Sequence, residues 1–447
     1  MKTQDFDIAA AREQALSLVA RVLDEAARRK ADAAEVSVGR SYGFSATVRM
    51  GEVETLEHEN DQDFVLTVYF GKRKATVSSS DLRAASVSDM VAAACAIAGE
   101  VSEDECAGLC NPDDLAAAVA DLDLDRPWSL DIGAAVELAT ECEDSARAAP
   151  EIVNSEGASV HTVRALHCYG NSHGFSGGWS GTRHGISCLV VAGDDGGMQR
   201  DGWYSVNRYS RRLETPAQVG ARAAERAVRR LGARKIASCK APVLFVPEMA
   251  RTLFGCFISA VSGPALYRKT TFLQDTLGRR VFPEWLCMDE EPLIRGGLHS
   301  APFDLDGVGT RTHAIVRDGV LDSYVLDSYS ARRLGLHTTG NAGGVRNLAV
   351  RSNAGGFNDL VAEMGTGLVV TELIGSGINP VTGDYSQGAA GFWVENGALA
   401  YPVEEITVAG NLKDMFASVA RAGDDVDERS SIRCGSLLLP EMTVAGK

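Results

Sequence analysis

The stretch NPVTGDYSQGAAGFWVENGALAYPVEEITVAGNLKDMF, from Asn379 to Phe416, carries more about the architecture than any other part of the chain. Gly375, Gly377 and Gly383 at its head open backbone conformations closed to residues with a Cβ, and an apolar run follows as far as Trp393 and Val394. Asn396-Gly397 stands between Phe392-Trp393-Val394 and Ala398-Leu399-Ala400-Tyr401, the signature of a tight hairpin with both turn residues at positive φ. Asn411 can cap a helix over 412–420, with Leu412, Met415, Phe416 and Val419 on one face. The segment is predicted to be a hairpin sheet with a Gly-rich lead-in and a closing helix. It holds neither a nucleophile nor a ligand cluster.

The same grammar recurs upstream. Asp318-Gly319 is predicted to join strands at 312–316 and 320–324, and Pro242-Val243-Leu244-Phe245-Val246 reads as a buried strand that opens a third region. The first region begins with an amphipathic helix, in which Leu16, Val19, Ala20, Leu23 and Ala27 form the apolar stripe and Arg12, Glu13, Arg21 and Glu25 take other faces. Phe44, Ala46, Val48 and Met50, then Phe64, Leu66, Val68 and Phe70, alternate as strands do, and a helix over 88–98 closes the unit. The acidic, Pro-containing stretch 111–127 reads as a linker. The second region is predicted to start with a helix capped near Ser129 and to run through three or four strands between 159 and 209. It ends on a helix with Thr215 as cap, Pro216 in the first turn, a stripe of Val219, Ala223, Ala227 and Leu231, and Gly232 beyond its end. Strands and helices mix without a βαβ rhythm and no solenoid-length repeat is present. The expected class is therefore α+β and multi-domain, with boundaries at 1–125, 126–236 and 237–447. The N-terminal region is mixed, the central one is antiparallel strands, and the C-terminal one is β-rich with hairpins.

With 447 residues, 45% of them apolar, the chain can build more than one core. A net charge of −16 argues against a broad nucleic-acid surface, which needs clustered Lys and Arg. Lys72-Arg73-Lys74 reads as a solvated turn between strands. The N-terminus MKTQDFDIAAAREQ has no signal-peptide core, and no window reaches the ~18–20 apolar residues of a membrane span, so a cytoplasmic, membrane-free protein is expected. Ten cysteines without a CxxC pair fit reduced thiols. Cys95, Cys168, Cys188 and Cys256 are expected to be inert core residues.

The stretch quoted first resembles the C-terminal domain of the TldE subfamily, also called PmbA, of the TldD/PmbA proteins. SGPALYRKTTFL (262–273), APFDLDGVGT (301–310), YSARRLGLHTTGNAGG (329–344), EMGTGLVVTELIG (363–375) and RCGSLLLPEMTVAG (433–446) extend the resemblance over the last 200 or so residues. The N-terminal half is similar more loosely, through ALHCYGNSHGFSGGWSGT (165–182). The resemblance implies that TldD subunits carry an HExxxH zinc motif on a helix of this domain, two His and a Glu being ligands and general base. The matching stretch here, PEMARTLFGCFISAV (247–261), has no His. The chain has no His between His184 and His299, and no Asp or Glu between Met249 and Gln274. Leu253, Phe254, Phe257 and Ile258 are predicted to be a buried helix face, and no catalytic or metal residue is assigned.

Cys434, followed by Gly435, occupies a position comparable to a family cysteine ligand. One thiolate cannot hold Zn²⁺ alone, so it is expected to be a packed relic. His161, His167 and His173 are spaced by six and would share a face of a continuous strand, but Gly170-Asn171-Ser172 interrupts it, placing His173 in a loop or on the next strand. His184 is expected at the surface. Asp304-Leu305-Asp306-Gly307 lacks the rest of a calcium loop and reads as a capped turn. GxxxxGK[ST] is absent.

The resemblance thus implies a non-catalytic subunit of a heteromeric zinc peptidase that acts on extended or unfolded peptides. No cofactor is expected in this chain; zinc belongs to a TldD-type catalytic partner. Family roles in microcin-type precursor maturation and antitoxin degradation come with it. The alternative is a stand-alone homodimer that modulates DNA gyrase or toxin-related partners without proteolysis. An independent peptidase with other ligands ranks third, since no nucleophile is assembled. Thr382, Asp384 and Ser386 are candidate peptide or partner contacts, or else bonds that tie the loop to its own domain.

Overall fold

The computed structural model describes residues 6–446; residues 1–5, at the head of the stretch read above for a signal-peptide core, lie outside the described residues. Even-numbered apolar residues from Ala34 to Val48 alternate with small polar ones, and the chain answers with strand β1 (Ala33–Arg49). Met50 and Gly51, at φ 54° and 83°, turn it back into β2 (Glu52–Phe70). Met50, expected to be the last residue of the alternation, is instead a turn residue and 47% exposed. The fully buried Glu143 carboxylate explains the turn: it accepts both the Met50 and the Gly51 N–H at 2.8 Å.

Helix α1 (Ile8–Arg28) precedes this hairpin, and β3 (Arg73–Ser79) and α2 (Ala84–Glu100) follow it. The face that α1 buries is Ala11, Ala15, Leu18, Val19, Val22 and Ala26. It is rotated from the expected stripe: Leu16 and Leu23 lie at its margin, while Ala20 and Ala27 are exposed. Three alanines at helical spacing line the sheet because they allow close approach. Helix α3 (Ile132–Arg147) is capped by Asp131, whose side chain accepts from Ala134 N, rather than by Ser129. Strands β4 (Ile152–Asn171), β5 (Ser176–Asp194) and β6 (Gly197–Asn207) follow, then α4 (Pro216–Val228) with the expected Thr215 cap and its reciprocal Gln218 bond.

These strands form one antiparallel sheet in the order β3-β2-β1-β4-β5-β6. It runs across the expected boundary at 125, since β1 pairs β4 from Glu35↔Asn171 to Val48↔Ala158. Two helices, α1 and α2, cover one end of one face, and α3 and α4 cover the other end. The stretch expected to be a linker is stitched down: Leu122 and Leu124 are buried, Leu124 O accepts from Thr182 N, and Asp114 O accepts from Gly309 N.

The third region starts with β7 (Cys239–Phe245), α5 (Pro247–Ala260) and α6 (Gly263–Tyr267). Next come β8 (Met288–Glu290), β9 (His313–Arg317), β10 (Val320–Leu321), α7 (Ser328–Leu334), β11 (Leu348–Val350) and α8 (Phe357–Met364). The chain continues through β12 (Gly367–Ile374), β13 (Asp384–Glu395), β14 (Ala398–Asn411) and α9 (Leu412–Ala417), and ends with β15 (Arg421–Ala422), β16 (Ile432–Arg433) and β17 (Leu437–Ala445). Both predicted hairpin turns have the required backbone: φ is 53° and 74° at Asn396-Gly397, and 49° and 76° at Asp318-Gly319. Asn411 caps α9 by accepting from Lys413 N. The order β14-β13-β12-β7-β17 closes on itself through β14–β17 pairing, which removes free edges there. The fold is α+β, as expected, and no helix among the described residues is long and apolar enough to cross a membrane.

Candidate functional site

Strand β7 is central in its sheet, parallel to β12 and antiparallel to β17. Val246 N still donates to Val370 O, and Pro247 then starts α5 in the first-turn position that proline favours. This junction points the Pro247-Glu248 end of α5 at the seam between the two halves of the molecule. A cavity of about 640 Å³ opens there. Trp203 on β6 and Arg222, Arg226 and Arg229 on and after α4 form one wall; Glu248, Phe392 and the 425–429 loop form the other.

The interior of the cleft is a chain of ion pairs. Glu248 meets Arg226 at 3.5 Å and Arg429 at 3.3 Å. Arg429 also grips Asp427 at 2.7 and 3.1 Å and donates to Tyr204 O at 2.9 Å. Arg226 also meets Asp201 at 3.1 Å, and Arg251 meets Asp427 at 3.5 Å. The Arg429 guanidinium lies 4.2 Å from the Trp203 ring and 4.3 Å from that of Tyr204, and Arg222 lies 4.0 Å from Trp203. Burial would raise the Asp427 carboxyl, but the Arg429 bonds outweigh it and hold it below the ordinary carboxylate range. Charges so paired, floored by aromatic rings, can hold polar main chain.

Zinc does not fit the residues present. With Glu248 set on the Glu of HExxxH, the two His positions are Pro247, which has no ligand atom, and Thr252, whose hydroxyl donates to Met249 O. Glu248 is neutralised by two guanidinium groups. Cys434 does lie beside the start of α5, but its Sγ is 3.8 Å from Pro247 O, the residue is buried, and burial pushes the thiol up. Among the described residues no group of three His, Cys, Asp or Glu could hold a metal ion. Leu253, Phe254 and Phe257 are buried, as predicted, and Ile258 packs at the edge of the same core.

The other singled-out residues do not converge. His161 and His167 lie on β4 and His173 in the turn after it, with its Nδ1 3.0 Å from Cys110 O. His167 is among aromatic rings, 6.0 Å from both Trp179 and Phe303. His184 is not at the surface but fully buried, bonded to Thr162 Oγ1 and Arg126 O, because the 126–128 segment folds over it and sets the Trp128 ring 5.5 Å away. Asp304 makes the expected capped turn: Oδ1 accepts from Asp306 N and Val308 N, and Oδ2 accepts from Ala342 N. Cys168 and Cys188 are buried; Cys95 and Cys256 pack at core margins.

Thr382, Asp384 and Ser386 are exposed and stand apart from the cleft. Thr382 donates to Asp384 at 2.6 Å, and Asn411 Nδ2 reaches both Asp384 Oδ1 and Thr382 O. These bonds tie the loop to the start of α9. The residues that sequence reasoning misses are Trp203, Arg226, Glu248 and Arg429. The one local signal is the dense charge of GDDVDER (423–429), with Pro247-Glu248 at a strand–helix junction.

A second, smaller cavity, about 220 Å³, separates the halves near β1 and includes Glu35, Tyr69, Cys110, Asp306 and Arg332. Burial pushes the Glu35 carboxyl above its ordinary range, against the Tyr69 and Tyr169 hydroxyls that donate to it at 2.7 and 2.8 Å. Asp306 is raised by burial too, and the Cys110 thiol is pushed up to about 12 by burial and these acids. A carboxyl raised on folding binds its proton more tightly in the native state, so its stabilisation is complete below the unfolded value near ~4 and is lost as pH rises through the folded value. Relative to wild type, Glu35→Gln is therefore expected to gain stability between about pH 5 and about pH 8. Urea melts at both pH values test it; a constant difference would contradict the assignment.

Three family models match the chain: PmbA/TldA metallopeptidase domain 1 over 34–98, the central domain over 125–231 and the C-terminal domain over 238–446. A metalloprotease PmbA of Escherichia coli O157:H7 is 46% identical over 424 residues, covering 95% of this chain and 94% of that one. Among solved structures, a Bacteroides thetaiotaomicron protein described as a candidate modulator of DNA gyrase matches with TM-score 0.91 and 27% identity over 96% of this chain and 98% of that one. TldE from Thermococcus kodakarensis shares the fold, with TM-score 0.83 at 18% identity over 96% and 100% of the two chains.

Proposed function

This chain belongs to the PmbA/TldD metallopeptidase family, and we propose that within it the chain is the non-catalytic subunit of a heteromeric peptidase whose zinc is held by a TldD-type partner. The observation that carries the reading is the α5 junction. Pro247 and Thr252 stand where ligands are required, and Glu248, the residue that would act as base, is clamped by Arg226 and Arg429. A metallohydrolase needs an activated water, and the residues at this junction supply neither the ligand set nor the base. A shared fold favours pseudo-symmetric pairing with a catalytic paralogue, and the substrates are extended or unfolded peptides, among them microcin-type precursors and labile antitoxins, in the cytoplasm. The cleft contributes by holding main chain on paired ions and the Trp203 ring rather than by cutting it.

Co-expression of the chain with a TldD-type subunit, followed by size-exclusion chromatography, tests the pairing. A stoichiometric hetero-complex that survives dilution is expected. A chain that elutes as a stable homodimer with the partner present, leaving that partner unbound, would favour a stand-alone binding protein instead.

A further inference from the structure

Strand β2 has a long free side. It pairs β1 over its whole length, from Arg49↔Glu52 to Ala33↔Tyr69, but β3 covers only Phe64 to Phe70 on its other side. Among the described residues no strand pairs with residues 52–63 there. A free edge of this kind is a template for a further strand, roughly 40 Å long at the usual rise.

Its side chains say which strand. Glu57, Glu59, Asp61 and Asp63 follow one another on a single face, opposite Ser45, Gly43, Ser41 and Gly39 of β1. The neighbouring row is small: a Cβ on Gly39 would fall 2.1 Å from Asp63 Oδ1, so glycine lets this carboxylate lie across the sheet. Glu57 takes a 3.4 Å bond from Ser45, and no ion pair is formed by any of the four acids among the described residues. Leu56, on the other face, is 49% exposed. Charges on an edge are a common guard against aggregation, and a row of four of one sign also sets up a selective field. A second copy of β2 would set acid against acid, which is destabilising for directly opposed residues. The complementary occupant carries Lys or Arg at alternate positions.

We propose that the edge of β2 between residues 54 and 62 takes up an extended, Lys- or Arg-bearing peptide as an added strand. Main-chain bonds supply the grip, and the row from Glu57 to Asp63 supplies the preference for positive charge. Three strands separate β2 from β6, which walls the α5 cleft, and the assignment does not depend on the accessory-subunit reading.

Fluorescence anisotropy of a labelled nonapeptide of alternating Lys and Thr, titrated with the full chain, tests it. Binding is expected, weakened about tenfold or more in the Glu57→Lys/Asp61→Lys variant, and equally by N-methylation of alternate amides in the peptide, which keeps its charge but removes strand pairing. Slower amide exchange confined to 54–62 in the wild-type complex gives a readout independent of any variant's folding. Equal affinity for the N-methylated peptide, or an unchanged exchange rate over 54–62, would overturn the proposal.

Discussion

Arg429→Ala is expected to cost about 3–5 kcal/mol of folding stability, the range for removing one partner from a buried ion pair. The guanidinium is 15% exposed, and its partners Asp427 and Glu248 are 5% and 14% exposed, so solvent cannot replace it. Removal leaves Asp427 with the backbone N–H of residue 429 at 2.9 Å and the longer contact to Arg251, unpins Tyr204 O, and takes the cation from the Tyr204 ring and one of those over Trp203. Lysine would not restore it, because a single ammonium cannot reproduce the two-pronged grip on Asp427. Urea unfolding followed by circular dichroism measures the loss. A second variant, Asp427→Asn on the Arg429→Ala background, is expected to recover part of it by removing the stranded charge. A loss below about 1 kcal/mol, the scale of an exposed pair, would mean that the cluster is not desolvated.

Phe257→Ala is expected to be of similar size, about 3–5 kcal/mol. Phe257 is fully buried, edge-on to Phe282 at 4.9 Å and to Phe416 at 5.9 Å between ring centroids. It therefore joins α5, the 281–286 loop and α9 into one core. Rigid rings on three separate elements cannot all collapse into the space left behind, so the cavity cost adds to the lost transfer energy. The same melts test it. A small effect would indicate that this face of α5 borders open space, as a substrate-facing helix would, rather than the core.

How much is legible in the sequence follows from the range of the forces involved. Hairpin turns are local, and Asn396-Gly397 and Asp318-Gly319 need nothing beyond their own positive φ. The Thr215-Pro216 helix start is equally local. The α1 face is misread because alanine carries little hydrophobic signal, and only the sheet beneath shows that Ala11, Ala15 and Ala26 are the contact row. His184 is misplaced because its partners, Thr162 and the Arg126 carbonyl, are 22 and 58 residues away. That the stretch 111–127 is held down is hidden for the same reason: acidic composition masks the two leucines and the distant carbonyl and amide groups that fix the segment. The cleft is invisible as a site because its members come from β6, α4, the start of α5 and the 425–429 loop, which only the docking of the two halves brings together. The absence of His from 247–261, by contrast, can be read directly.

The most direct measurement is zinc content and cleavage of an unstructured peptide by the purified chain, alone and with a TldD-type partner. A zinc-free chain that cleaves nothing alone and raises the partner's rate when added is expected; chelator-sensitive cleavage by this chain alone would contradict the accessory role.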